Sequence, residues 1–478
     1  MTLRPFVSFS VASVVCVVSV FPALGAGLPP SVQSALARAG VPLTAVSAVV
    51  EPVGDGAVLV SHRTDVPMNP ASVMKLVTSQ VALETLGPAF TFRTDFLLDG
   101  RLSHGVLEGN LVIRGGGDPK LTYERLWQAA HQLRARGLRE IRGDVVVDRS
   151  YFAATPHDPA RFDNEPRRAY NVGTDAWLVN FQAVNFTVVP DGSSARVVPE
   201  PDLPNLQVLS RIAVVPGPCG DWRRAIKVEF DESGLIATAT FSGNFPAECG
   251  ERTWPLSLFD GPRFAESAWR WVWSESGGVL RGKVRPGPVP AEATLFYRQE
   301  SEPLASLVRD MNKFSNNVMA RHLFLALSAE RAGSSGEARA SERIVGDWLA
   351  ARRIAAPGFS IENGSGLSRT DRITAGTLAA LLRVAWASPS MPELVASLPI
   401  LSVDGTLKLR GGGAGGQAHL KGGTLTGVQS MAGYVLDARG RRWVVAMMVN
   451  HPNANAAQPA LDALVEWVHR LPGRGESR

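Results

Sequence analysis

Cysteine and histidine are scarce. Only three Cys and eight His occur in 478 residues, with no C-x-x-C or H-E-x-x-H spacing, which speaks against a zinc enzyme. Runs of like charge are missing as well. Forty-nine Lys and Arg stand against 44 Asp and Glu, a surplus of five spread along the chain without a block of five or six basic residues. Nucleic-acid binding therefore has little support, although the surplus is compatible with a polyanionic surrounding such as a cell wall. Past the N-terminus no stretch is apolar and long enough to span a bilayer. Glycine and proline are plentiful, 46 and 33, but follow no G-X-Y period, so collagen is excluded and many loops are expected. A hydrophobic content of 45% with 19% charged residues argues against disorder. One core rarely grows past about 250–300 residues, so two or three domains are expected.

Met1–Ala26 carries Arg4 as its only charge. An apolar run from Pro5 to Val20 follows, then Pro22 and the small residues Ala23, Gly25 and Ala26. This is the order of a secretory signal peptide cleaved after Gly25 or Ala26. The alternative is an uncleaved anchor, for which the run is short against about 20 spanning residues. Removal of the signal leaves Cys219 and Cys249. An even pair in an exported chain suggests one disulfide, closing a loop of about 31 residues and contributing roughly 3–4 kcal/mol in the chain-entropy account. The alternative is two separate buried thiols.

Residues 45–63 alternate around Asp55-Gly56 and predict a β-hairpin. Residues 69–86 switch to helical spacing, with Asn69 as N-cap, Pro70 in the first turn and Gly87 as the stop. From about 92 to 290 short strand-like runs dominate, interrupted by helical stretches near 122–137 and 262–274. Helical texture returns at 302–330, where Leu304, Leu307, Val308, Met311 and Phe314 share a face, and again near 340–352 and 373–387. A Gly-rich loop spans Gly411–Gly416. Strands at Gly433–Leu436 and Trp443–Val449 flank Arg439-Gly440 as a second hairpin. A final helix, Pro459–His469, carries the stripe Leu461, Leu464, Val465 and Val468. Without a basic polar face it reads as a packed terminal helix rather than a membrane anchor. The two ends share a hairpin-plus-helix texture and a strand-rich middle separates them. That suits either a discontinuous α/β domain with a long insertion or three domains in series.

Ser72-Val73-Met74-Lys75 is an S-x-x-K motif near the start of a predicted helix. Residues three apart on a helix share a side, so the Lys75 amine can reach the Ser72 hydroxyl. A serine needs an adjacent base to become a nucleophile, and a lysine serves when burial or nearby cations keep it neutral. Ser315-Asn316-Asn317 is an S-x-N motif between two helical halves, where a polar break capping the second helix is the plainer reading. Lys421-Gly422-Gly423-Thr424 stands at the start of a strand-like run, where a turn is the plainer reading. Singly each is weak; in this order they carry weight.

The arrangement resembles the penicillin-recognising serine enzymes, whose three elements are S-x-x-K, S-x-N and K-[TS]-G. Pro70–Leu76, Met311–Asn317, Glu362–Arg369 and Asp404–Leu407 narrow the resemblance. They look like the class C, low-molecular-mass penicillin-binding proteins, the D-alanyl-D-alanine carboxypeptidase/endopeptidase family. Tyr170–Gly173 and Val147–Phe152 match the inserted region. One departure stands out: Gly422 occupies the place of the usual Thr, with Thr424 or Thr426 available to compensate.

The resemblance implies a multi-domain α/β (α+β) protein with a split, β-lactamase-like catalytic domain. It places the signal at 1–26, the catalytic domain at 27–91 and 291–478, and a second domain at 92–178 and 262–290. A β-rich third domain at 179–261 would be nested in the second and hold the disulfide. It implies Ser72 as nucleophile, Lys75 as base, and Ser315 and Lys421 as a proton relay. Asn317 would hold the substrate amide, and the backbone N–H groups of Ser72 and Thr424 would form the oxyanion hole. Gly423, Thr424 and Thr426 would line the substrate, and Asp163, with Glu165 next, would bind the free amine of a diamino acid. The substrates implied are peptidoglycan stem peptides and D-amino-acid cross-bridges in the periplasm, with β-lactams as inhibitors and no cofactor. Competing expectations are a serine β-lactamase and a non-catalytic wall-binding protein of the same fold. Oligomeric state is open, a homo-oligomer included.

Overall fold

The computed structural model describes residues 27–471, so the expected export signal lies outside the described residues. Two distant parts of the chain build one five-stranded antiparallel sheet. Its order is Ala418–Leu425, Val428–Leu436, Arg442–Asn450, Val46–Pro52 and Val60–His62. The first hairpin forms as expected, although residues 53–59 make a longer loop than the tight turn suggested by Asp55-Gly56.

The strands Val428–Leu436 and Arg442–Asn450 are nearly all apolar because both faces of the sheet are covered. Side chains alternate between the faces. Ala432, Tyr434, Val444, Ala446 and Met448 meet a layer of helices that includes Lys75–Thr85, Leu304–Lys313, Asn317–Ala332 and Ala375–Trp386. Met431, Val435, Val445, Met447 and Val449 meet the helices Pro30–Arg38 and Gln458–His469. Leu461, Leu464, Val465 and Val468 of the last helix are buried there, so its stripe is a packing face. Among the described residues no helix is long and apolar enough to cross a membrane.

The intervening chain builds two more sheets. Strands between Arg93 and Asp148 join Val279–Leu280, Val284–Pro286 and Thr294–Glu300 in a seven-stranded sheet. Strands between Ala183 and Ser257 form a six-stranded sheet whose sequence lies wholly inside that interval. The expected junction at 290/291 does not suit the pairing. Thr294–Glu300 runs antiparallel to Arg93–Ser103, and Arg298 donates to the buried Asp95 at 2.6 Å. The buried residues of both sheets make one connected core, with Trp177, Phe264 and Trp269 among them.

Cys219 and Cys249 are bonded, which removes the separate-thiol alternative. They follow Leu206–Val215 and Ala237–Pro246, which are parallel neighbours, so the bond ties together two adjacent strand ends.

Candidate active site

The helix expected from Pro70 begins later. Ala71 has φ +47°, a left-handed conformation that a Cβ disfavours. Ala71–Met74 therefore form a 3₁₀ turn, and the α-helix runs Lys75–Thr85. Asn69 accepts the Ala71 N–H at 2.9 Å instead of capping an α-helix. Such strain persists only when surroundings enforce it. Here Gly366 lies against the Ala71 carbonyl so closely that any Cβ would collide with it. Ser430 Oγ donates to Pro70 O at 2.5 Å, and Asn69 Nδ2 donates to Ser368 O at 2.8 Å.

This clamped turn sets Ser72 Oγ 3.2 Å from Lys75 Nζ. Lys75 is wholly buried. Its amine donates to Asn317 Oδ1 at 2.6 Å and to the Ser365 carbonyl at 2.5 Å. Burial first, then the cations of Lys421 and Arg321, hold its pKa well below the usual lysine range, against an upward pull from Asp371. A neutral amine has two N–H groups and one lone pair. Asn317 Oδ1 and the Ser365 carbonyl only accept, so they take both N–H groups. In that neutral form the lone pair would face the Ser72 hydroxyl.

Ser315 sits where the chain turns between helices. Leu304–Lys313 ends, Ser315 adopts φ +56°, and Asn316 caps the next helix by accepting from Met319 N at 3.0 Å. The S-x-N motif is thus both a cap and a site element. Phe314, expected on the apolar face of one long helix, leaves it because the helix ends at Lys313. Its side chain is 70% exposed and lines the cleft.

Lys421 lies in the middle of the edge strand Ala418–Leu425 rather than at its start. Its buried Nζ donates to Ser315 Oγ at 3.0 Å and to the Gly422 carbonyl at 2.8 Å. Burial pushes its pKa down to about 7. Gly423 has a steric reason to be glycine. A Cβ there would lie 2.5 Å from Ser430 Oγ, 2.7 Å from Pro70 O and 2.8 Å from Ser72 N. The strand edge can approach the nucleophile only without it. Gly422 has no such reason, because the nearest atom to a Cβ would be Leu407 Cδ2 at 3.9 Å.

A cleft of about 790 Å³ runs over these groups. Ser72, Ser315, Asn317, Thr424 and Thr426 line one side, and Phe162, Asp163, Tyr170 and Phe181 line it from the inserted region. Asp163 accepts from Tyr170 Oη at 2.8 Å and from Asn171 Nδ2 at 2.7 Å. Glu165 is not among the lining residues; it is exposed and lies 3.4 Å from Arg168. Thr424 Oγ1 donates to Gln429 Oε1 at 3.0 Å.

Four further groups belong to this constellation. The Ser365 carbonyl touches Lys75, Arg321 and Asp371 act on its charge, and Arg369 lines the cleft, donating to Thr426 O at 3.0 Å while lying over the Phe162 ring. The glycines flanking Ser365 were the available hint of a tight approach. Arg369 closes the Glu362–Arg369 run already singled out, and no local pattern marks Arg321 or Asp371.

The D-Ala-D-Ala carboxypeptidase 3 (S13) family model matches residues 30–471. The chain is 28% identical over 446 residues to a D-alanyl-D-alanine carboxypeptidase of Actinomadura sp. (strain R39), covering 89% of this chain and 81% of that protein. Its structure is similar to that of penicillin binding protein 4 (dacB) from Haemophilus influenzae, with TM-score 0.75, 21% identity and coverage of 91% and 99% of the two chains. It also shares its fold with a predatory endopeptidase of Bdellovibrio bacteriovorus, at TM-score 0.52, 14% identity and coverage of 88% and 93%.

Proposed function

The chain belongs to the D-Ala-D-Ala carboxypeptidase 3 (S13) family, and on that premise we propose that it trims peptidoglycan pentapeptides and cleaves D-amino-acid cross-bridges through an acyl-enzyme on Ser72. The observation that carries this reading is the placement of the buried Lys75 amine 3.2 Å from Ser72 Oγ, held there by the acceptors Asn317 Oδ1 and the Ser365 carbonyl. In its neutral form an amine that donates to Asn317 and Ser365 has its lone pair free to receive the Ser72 proton.

Ser72 Oγ attacks the carbonyl carbon of the penultimate D-residue as Lys75 takes the hydroxyl proton. The backbone N–H groups of Ser72 and Thr424 receive the oxyanion, a contribution of about 2.7–4 kcal/mol per donor. The close approach of Gly423 to Ser72 N supports that pairing. Collapse breaks the C–N bond and expels the amine, which takes up the proton that Lys75 received, passed by way of Lys421 and Ser315, 3.0 Å apart, so that Lys75 is neutral again. Water then attacks the ester, releases the shortened peptide as a carboxylate and restores the Ser72 hydroxyl. Asn317 holds the substrate amide, and Gly423, Thr424 and Thr426 flank the substrate along the strand. A penicillin acylates the same oxygen when its lactam ring opens.

Asp163 binds the free amine of the diamino acid. Its present partners, Tyr170, Asn171 and the Glu165 N–H, are neutral donors. Among the described residues no cation lies within 4.0 Å of it, so its charge is open to an ammonium. The same reading divides the chain into a catalytic unit at both ends, an inserted domain and a nested one. The pairing of Thr294–Glu300 supports moving the second junction from 290 to about 300. The enzyme acts in the periplasm, where its substrate lies and where the Cys219–Cys249 bond persists. Digestion of purified sacculi and pentapeptide muropeptides, with products identified by mass, tests the proposal. Loss of terminal D-alanine and conversion of dimers to monomers are expected; intact products would refute it.

A further inference from the structure

Ser430 is a wholly buried hydroxyl that the reaction proposed above does not use. It sits on Val428–Leu436, opposite Gly423 of the edge strand. Side chains alternate along the strand, so Ser430 shares a face with Ala432 and Tyr434, which meet the helical layer. A hydroxyl buried in such a layer is a cost unless it is hydrogen-bonded. Ser430 Oγ meets two carbonyls. It donates to Pro70 O at 2.5 Å, and Gly423 O lies 3.3 Å away. Pro70 O already accepts from Val73 N at 3.2 Å within the 3₁₀ turn, so it has a partner without Ser430. What the serine adds is a link between the turn that carries Ser72 and the strand that carries Thr424.

Both carbonyls stand beside a donor of the proposed oxyanion hole. Pro70 precedes Ser72 by two residues in the same turn. The Gly423 carbonyl and the Thr424 N–H belong to one peptide unit, and in a trans unit the two point in opposite directions. A Gly423 oxygen held toward Ser430, on the inner side of the strand, therefore turns the Thr424 N–H outward, to the free edge of Ala418–Leu425. The packing leaves no slack at this junction. Ser430 Oγ, Pro70 O and Ser72 N all lie within 2.8 Å of the point that a Gly423 Cβ would occupy.

We propose that Ser430 is a positioning residue for the oxyanion hole, its hydroxyl setting the distance and angle between the Ser72 and Thr424 N–H groups by joining Pro70 O to Gly423 O. It touches neither the substrate nor the reacting atoms. The inference rests on the reaction proposed above, in which those two N–H groups receive the oxyanion. Negative charge gathers on the carbonyl oxygen only as Ser72 attacks. The spacing that Ser430 sets therefore matters to the transition state and hardly to the bound substrate.

Ser430→Ala tests this by two measurements. In stopped-flow acylation by penicillin, the acylation rate constant should fall about 10- to 100-fold. Loss of a whole oxyanion donor costs about 10²–10³, and here both donors remain but are misplaced. The dissociation constant of the initial, non-covalent complex should stay within about twofold of wild type. The second probe is a boronic acid built on the acyl half of a D-Ala-D-Ala substrate. It adds to Ser72 Oγ as a tetrahedral anion with one oxygen in the hole, and its Ki should rise by the factor by which acylation slows. Ser430→Cys, whose thiol is a weaker donor, should lie between the two. A merely structural role lowers Tm but leaves the acylation rate constant of the folded enzyme and the boronate Ki in place. If Ser430→Ala does not fold, Ser430→Cys decides by the same pair of numbers. An unchanged rate constant and Ki in a folded variant, or a loss carried entirely by the dissociation constant, overturns this inference alone. A wild type that neither forms the Ser72 adduct nor binds the boronate refutes the proposed reaction itself.

Discussion

The two walls of the cleft are built on different principles. On the catalytic wall Lys75 and Lys421 are fully buried, and their donors meet fixed partners between 2.5 and 3.0 Å. On the inserted wall Asp163 is half-buried, and Tyr170 is 40% exposed. Proton transfer needs desolvation, because water would restore the lysines to ammonium ions. Capture of a charged substrate group needs the reverse, a solvated carboxylate whose neutral partners can be exchanged. Even the segments flanking the motifs obey the first rule. Lys313 donates to Leu398 O and Asp404, and Asn312 donates to Ser79 and Ser397, so they brace the S-x-N turn from behind.

The sharpest break of this contrast is Ser72→Ala. It should abolish turnover, by on the order of 10⁴-fold or more, while leaving the cleft walls intact. Labelled penicillin should add one adduct, on the peptide that contains Ser72. An adduct that persists in Ser72→Ala would move the chemistry to another residue.

The inserted wall should break differently. Replacing Cys219 and Cys249 by Ser should remove roughly 3–4 kcal/mol of stability, seen as a lower Tm, with little change in kcat on a small D-Ala-D-Ala substrate. Non-reducing peptide mapping should first show the two joined. A kcat that falls in step with Tm would mean that the walls are one mechanical unit. Asp163→Asn should raise KM for substrates with a free amine by about 10- to 100-fold and leave penicillin acylation nearly unchanged. Equal losses on both would remove Asp163 from recognition.

The contrast also explains what could be read from the residues alone. Ser72 and Lys75 stand three apart, Ser315 and Asn317 two apart, and Lys421 precedes a glycine pair, so local spacing exposed them. The strands Gly433–Leu436 and Trp443–Val449 were visible because both faces are covered and the pattern there is apolar, while the first half of Val428–Leu436, interrupted by Gln429 and Ser430, was not. Arg321 and Asp371 were invisible, since the elements that carry them come together only in the fold, whereas Ser365 was hinted at by its flanking glycines. The left-handed Ala71 was hidden because propensity favours a helix there, and the Gly366 approach overrides it. Phe314 was misplaced for a related reason. Its periodic position suits a core, but the helix ends one residue earlier.

The smallest expected effect concerns Gly422. Position 422 alternates with 421 and 423 along the strand, and so shares a face with Thr424, which is exposed and lines the cleft, as does Thr426 in the turn that follows. A side chain there has room, with 3.9 Å to the nearest atom from its Cβ. Glycine thus leaves a gap where a hydroxyl could meet the terminal carboxylate of a pentapeptide. Thr424 does not obviously fill it, because its hydroxyl is already donated to Gln429. A charge-assisted hydrogen bond is worth about 1.5–3 kcal/mol, and at an exposed strand edge the lower end applies, or about tenfold in a rate constant. A cross-bridge amide carries no charge at that place and loses less. Endopeptidase activity should therefore be favoured over carboxypeptidase activity in the wild type. Gly422→Thr should raise kcat/KM about tenfold on a pentapeptide and by less on a cross-linked dimer. Measuring both substrates with both proteins checks this. An equal gain on the two, or none on the pentapeptide, would show that Lys421 and Thr424 already satisfy the carboxylate and that glycine is simply tolerated there.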